Sequence, residues 1–314
     1  AVRRVLEALA ANQTSRGHIP SLAHDPEDRG ASDTTPLFLI GLGAYRKAAG
    51  KARFLEGPAS RALTWMEYQS PGDRVIIAQQ PTTDWRDEQI VPGYPIYANA
   101  LLYMALKLFG QHARAAELKR QLNQLTITSG LMHAHVHEGL RLAGKPYFAL
   151  WSRKVDSSER FDLLGNSLAI IGGIAPRSRA KQIVAWVETE CRALRSSGDL
   201  VLDLPPNLLP FIRRENPDWR PRYEQFNKPG EYHNGGVWPF VCGFYVTAMV
   251  AAGYTTLARR KLADLAELMK PARDVTLKYG FNEWFKAQDG APHGQDWQTW
   301  SAAMFVYAYE WVRR

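Results

Sequence analysis

Only two cysteines, Cys191 and Cys242, occur in 314 residues. This excludes a disulfide-dense secreted scaffold and fits a reducing compartment. No run of 18 or more uncharged apolar residues is present, so no membrane-spanning helix and no membrane partner are expected. The opening AVRRVLEALAANQ lacks an apolar core long enough for a secretory signal, and the expected location is cytoplasmic. There is no Gly-x-Ser-x-Gly elbow, no glycine-rich phosphate loop and no cysteine pair at zinc spacing. The net charge of +8 comes from scattered basic residues rather than a stripe interleaved with aromatics, so nucleic acid is not an expected partner. A linker rich in Gly, Ser or Pro is also missing, and so is any close repeat. One domain over 1–314 is therefore expected.

What is present is helical periodicity, over 1–12, 34–49, 55–69, 94–109, 112–127, 158–173, 177–195, 234–253, 255–270 and 297–313. Asp33 followed by Thr34, Thr35 and Pro36 makes a helix start. Gly50, Gly110 and Gly253 stand where a left-handed terminating residue belongs. Strand patterns are few: Val75–Gln79 and a piece near 131–137, both read as small rim hairpins. His133, His135 and His137 share one face of the latter; a polar rim is the preferred reading over a metal site. Paired helices joined by long loops of unequal length favour an all-α toroid over a solenoid.

The long loops, 14–33, 71–93, 129–157, 199–233 and 273–296, hold most of the distinctive residues; loops of this length are uncommon unless they carry function. Ten tryptophans and thirteen tyrosines are many, and several sit beside carboxylates. That mixture suits a sugar, whose ring faces stack on aromatics while its hydroxyls seek carboxylates and amides. Asp84, Trp85, Arg86 and Asp87 precede the helix at 94. Such carboxylates either cap the helix or, set against Trp85 with poor solvation, act as a protonated general acid. Glu283 lies among Phe281, Trp284 and Phe285, as a rim residue or a positioned base. The paired glycines Gly235 and Gly236 precede Trp238 and allow a close backbone approach. Gln298 lies between Trp297 and Trp300, and Arg160 with Asp162 flank an apolar helix.

Together the segments RFDLLGNSLAI at 160–170, YHNGGVWPF at 232–240 and QTWSAA at 298–303 resemble the (α/α)6-barrel glycoside hydrolases, most closely the neutral/alkaline invertase family, glycoside hydrolase family 100. Asp84–Asp87 with GYPIYANALLYMAL at 93–106 is similar also to the amylo-α-1,6-glucosidases. The resemblance implies a six-hairpin toroid acting on a small carbohydrate, with inversion and with neither metal nor cofactor. It implies Asp87 as the acid, with Asp84 the fallback, and Glu283 as the base. Asp33, in SDTTPLFLIGLGAY at 32–45, resembles the aspartate that leads the helix at the sugar subsite. Trp85, Trp238, Trp284 and Trp300 would wall the pocket, and Asp33, Arg160, Asp162, His233 and Gln298 would hold hydroxyls. Inversion asks for carboxyls roughly 6.5–9.5 Å apart. The family's first helices have no counterpart before Ala1, so an N-terminally incomplete barrel is expected. Asp87 is followed by Glu88 and Gln89 where the invertases have two arginines, which loosens the link to sucrose. Another small α-glucoside, an α-1,6-linked glucan, an epimerase or lyase using His233, a non-catalytic sugar-binding barrel and a homo-oligomer stay open.

Overall fold

The structure, a computed structural model, describes every residue except 23, 24, 26, 28, 29, 127–138 and 155. The expected strand near 131–137, with His133, His135 and His137, lies outside the described residues. The chain divides into two compact units, Ala1–Ala143 with Ala149–Ser158, and Gly144–Phe148 with Glu159–Arg314.

The first unit holds α1 (Val2–Ala11), α2 (Thr34–Ala49), α3 (Glu56–Glu67), β1 (Tyr94–Pro95), α4 (Ile96–Leu108), α5 (His112–Leu122) and β2 (Ala149–Arg153). Helix α4 is apolar on nearly every face, and a helix of that kind belongs inside. It is buried from Ile96 through Tyr103 and packs against α2 and α5. Its one buried amide, Asn99, is fully used. Oδ1 accepts from Ile77 N–H, and Nδ2 donates to the carbonyls of Ile77 and Pro95, which pins the 70–93 loop to α4. Strand β1 pairs antiparallel with β2, with Tyr94 opposite Ser152. Gly93 makes this approach possible: at φ +71 any Cβ would stand 2.6 Å from the Ser152 carbonyl oxygen.

The second unit holds the end of β3 (Asp156–Asp162), α6 (Leu163–Gly172), α7 (Arg177–Ser197), β4 (Leu208–Leu209), α8 (Tyr223–Phe226), α9 (Pro239–Ala252), α10 (Thr255–Leu268), β5 (Trp284–Phe285), β6 (Pro292–His293) and α11 (Thr299–Val312). Helix α9 begins on Pro239, whose fixed φ suits a first turn. It is surrounded by α6, α7, α10 and α11. Its Val241, Cys242, Val246 and Met249 are wholly inaccessible, and burying side chains of this size stabilises by roughly 1.5–3 kcal/mol each. Cys191 and Cys242 are both buried free thiols.

All ten periodic segments contain helices, with ends displaced by up to five residues. Two of the largest displacements lie at N-termini, where 158–162 is strand and 234–238 is loop. Val75–Gln79 is not a strand; only Gln79 forms a bridge, with Gly93. Gly50, Gly110 and Gly253 are left-handed, as expected. Among the described residues no helix is long and apolar enough to cross a membrane, and no group of three or more His, Cys, Asp or Glu could hold a metal.

Candidate active site

In the first unit the 79–91 loop is folded around a buried carboxylate. Asp84 accepts from the Arg86 amide (2.8 Å), Nε (3.1 Å) and Nη2 (2.6 Å), and from Gln79 Nε2 (3.0 Å). Burial pushes its carboxyl up, but the Arg86 charge and the donated hydrogen bonds outweigh that and leave it below the usual range. The guanidinium also lies 5.7 Å from the Trp85 ring centre and 5.8 Å from that of Tyr97. Asp33 stands at the start of α2, yet its side chain caps nothing in that helix. Its Oδ2 accepts from the Trp85 amide (3.0 Å) and Tyr97 hydroxyl (3.1 Å) instead. Burial, followed by the neighbouring Asp84 charge, raises the Asp33 carboxyl to about 6 against those two hydrogen bonds. The desolvation expected at Asp87 therefore falls on Asp33 and Asp84. Asp87 itself is exposed.

In the second unit three loops carry non-glycine residues with left-handed backbone: Tyr232 (φ 43), Phe281 (φ 42) and Trp297 (φ 60). Such conformations cost free energy and persist where surrounding structure imposes them, often at functional sites. Glu283 stands in the middle loop, half-buried. Its N–H donates to the Gln295 carbonyl (2.9 Å), and its Oε2 accepts from the Gln295 N–H (2.9 Å). The loop is tied to the start of α11 by Gln298 N–H on the Phe281 carbonyl (3.0 Å) and Ser301 Oγ on the Asn282 carbonyl (3.1 Å). Asn282 Nδ2 bridges the carbonyls of Trp284 and His293, fixing the β5–β6 pair that follows. Aromatic rings pack on one another in the same unit. Trp284 stacks on His293 (4.7 Å), and His233 lies against Tyr232 (3.8 Å) and Trp238 (5.3 Å). Trp300 stacks on Phe240 (4.6 Å). Gly235, at φ +101, touches the Phe211 ring so closely that a Cβ would overlap it. The close approach expected of the glycine pair is thus to the Phe211 ring at Gly235 and to the Tyr232 backbone at Gly236.

Several expectations change. Arg160 is not open to a sugar: it forks onto Asp218 (2.7 and 2.8 Å) and also reaches the Pro210 and Phe211 carbonyls and Asn216. Asp162, 1% exposed, caps α6 through the Leu164 amide. His233 and Trp238 are inaccessible, and Trp238 Nε1 is spent on the Tyr232 carbonyl, so neither is open to a sugar. Asp84, the fallback acid, is ion-paired with Arg86, which favours its ionised form. Trp284 is nearly buried, while Trp85, Gln298 and Trp300 are half-exposed. Gln79 and Tyr97, which with Arg86 set the two buried carboxylates, escape a reading of the sequence, as does the pairing of Arg86 with Asp84. Their signal is faint: polar residues inside or before the apolar run of α4.

The comparisons with known proteins converge on one class. The family profile of glycoside hydrolase family 100, alkaline and neutral invertase, matches residues 119–314, well over half the chain. The chain belongs to that family. It is 31% identical over 155 residues to a probable alkaline/neutral invertase D of Arabidopsis thaliana, covering 48% of this chain and 26% of the relative. To cytosolic invertase 1 of Oryza sativa subsp. japonica it is 30% identical over 154 residues, covering 48% and 25%. The matches thus span about a quarter of these relatives' length. In fold it is similar to the GH63 mannosylglycerate hydrolase of Thermus thermophilus, with a TM-score of 0.66 at 16% identity over 97% of this chain and 88% of that one. A glycosidase E335A in complex with glucose gives a TM-score of 0.58 at 15% identity, covering 99% of this chain and 79% of that one.

Proposed function

We propose that this chain is the catalytic part of an inverting glycoside hydrolase cleaving an α-glucoside, sucrose foremost, with its helices arranged as an (α/α)6 barrel. The observation that carries the reading is the mounting of Glu283. A carboxylate on a strained, aromatic-lined loop, oriented by a peptide N–H and bolted to α11, is built for a fixed task, and it lies within the stretch that matches the invertase family. In this reading Asp87 gives its proton to the glycosidic oxygen as the bond to the anomeric carbon breaks. Glu283 takes a proton from the water that attacks that carbon from the opposite face, so the configuration inverts. Solvent exposure of Asp87 suits a group that must reach a substrate oxygen. Gln298, Trp85 and Trp300 are the half-open side chains left to contact the sugar. A cytoplasmic location belongs to the proposal; the rice relative is named cytosolic, while other relatives are named mitochondrial or chloroplastic.

The test is a pair of variants, Asp87→Asn and Glu283→Gln, assayed on sucrose, isomaltose and maltose. Each is expected to lose turnover by several orders of magnitude while still binding sugar. Hydrolysis of isomaltose alone would move the substrate to α-1,6-linked glucosides. Full activity in either variant would remove that residue from the mechanism.

A further inference from the structure

Beyond the carboxylates, the first unit contains a cavity of about 380 Å³, within the size range of small-molecule sites. It is lined by His18, Ser32, Trp65, Tyr68, Gln79 and Thr83 among others, and no Asp, Glu, Lys or Arg among the described residues faces it. Its aromatic side is ordered: the His18 ring lies 5.1 Å from that of Trp65, and His18 Nδ1 is 3.2 Å from Thr35 Oγ1. Its polar side includes the paired hydroxyls of Ser32 and Thr83, 2.6 Å apart. Gln79 supplies the decisive feature. It is only 7% exposed, and its Nε2 donates to Asp84 Oδ2 and to the Val91 carbonyl. Both partners are acceptors, so the amide cannot be reversed. The Oε1 is then a buried acceptor that no donor among the described residues meets.

From this we infer that the cavity is a carbohydrate subsite, in which a sugar stacks on Trp65 and, as a turn of the Gln79 side chain uncovers it, donates a hydroxyl hydrogen to Gln79 Oε1. An uncharged polyhydroxylated ring matches a lining of aromatics, amides and hydroxyls; among the described residues an anion or a cation would find no carboxylate, ammonium or guanidinium counter-charge there. Gln79 links the site to Asp84, and through it to Arg86 and Asp33. The choice of a sugar as ligand rests on the glycoside hydrolase reading; the existence of a site needing a neutral donor does not.

The experiment is fluorine NMR of the full chain labelled with 5-fluorotryptophan. The resonance absent from Trp65→Phe identifies Trp65 among the ten tryptophans. Titration with glucose, fructose or sucrose should move that resonance to saturation, whereas glycerol should not. Tyr68 is 77% exposed at the rim, so Tyr68→Ala keeps the fold. It should raise the titration midpoint about threefold to tenfold, the range for one lost aromatic contact. A Trp65 resonance that ignores all three sugars overturns the inference, as does an unchanged midpoint in Tyr68→Ala together with Ser32→Ala. Turnover is read separately from the sugar signals. A saturable Trp65 shift without turnover keeps the subsite and removes the hydrolase, and turnover without the shift does the reverse.

Discussion

Gly294 sits at φ +74 against the side chain of Glu283. A Cβ built there would overlap Glu283 Oε2 and stand 2.8 Å from its Cβ. Replacing it with alanine therefore does two things. The left-handed backbone costs about 1–2 kcal/mol for any residue with a Cβ. More tellingly, Glu283 must retreat, and since its Cβ is crowded too, rotating the carboxylate alone is not enough. A misplacement of about 1 Å at a catalytic group lowers turnover on the order of 100-fold. Gly290 is the matched control. At φ +70 its backbone is equally left-handed, but an added Cβ meets only the side chains of Val201 and Leu202, at 3.2 and 3.3 Å. Both variants should lose roughly 2–8 °C in thermal midpoint. Only Gly294→Ala should lose kcat on the most active α-glucoside. Equal kcat in the two variants, at equal loss of stability, would refute the placing of the reaction at Glu283.

Other consequences can be measured alongside. The Asp33 carboxyl is raised to about 6 from 3.8, so the folded protein holds a proton that the unfolded chain has released. Stability should therefore fall as pH rises from about 4 to 6, and Asp33→Asn should flatten that slope, gaining about 2–3 kcal/mol at pH 7 by urea denaturation. Arg86→Ala strands the buried Asp84 charge and should cost about 3–5 kcal/mol, with much of the loss recovered in Asp84→Asn with Arg86→Met. Arg160→Lys cannot reproduce the fork onto Asp218; it should lower the melting temperature through the 208–218 segment, and KM for sugar should stay unchanged because no hydroxyl is held there.

The elements legible in the sequence are those whose signal is local. Helices α4 and α9 are apolar on nearly every face, and nothing but burial accommodates such a stretch. Gly50 and Gly253 end helices by backbone geometry alone. Strand β3 escapes the pattern because Asp156–Asp162 is mostly polar and runs straight into α6 without a turn residue. At the site, Asp33 is recognisable as the leader of α2, but its partners are 52 and 64 positions away, so its side chain follows tertiary contacts rather than capping. His233 and Trp238 look like pocket residues by type. Whether such rings face a ligand or each other depends on Tyr232, whose left-handed backbone folds it onto both. Arg160 is absorbed by Asp218, 58 positions on, a partner that no spacing rule indicates.

The most direct test of the account is proton NMR of the chain with sucrose, isomaltose and maltose, following the anomeric signals in the opening minutes. β-Glucose should appear first, from sucrose above the others, and neither anomer when Asp87→Asn or Glu283→Gln replaces the native chain. Early α-glucose, or undiminished cleavage in both variants, would contradict it.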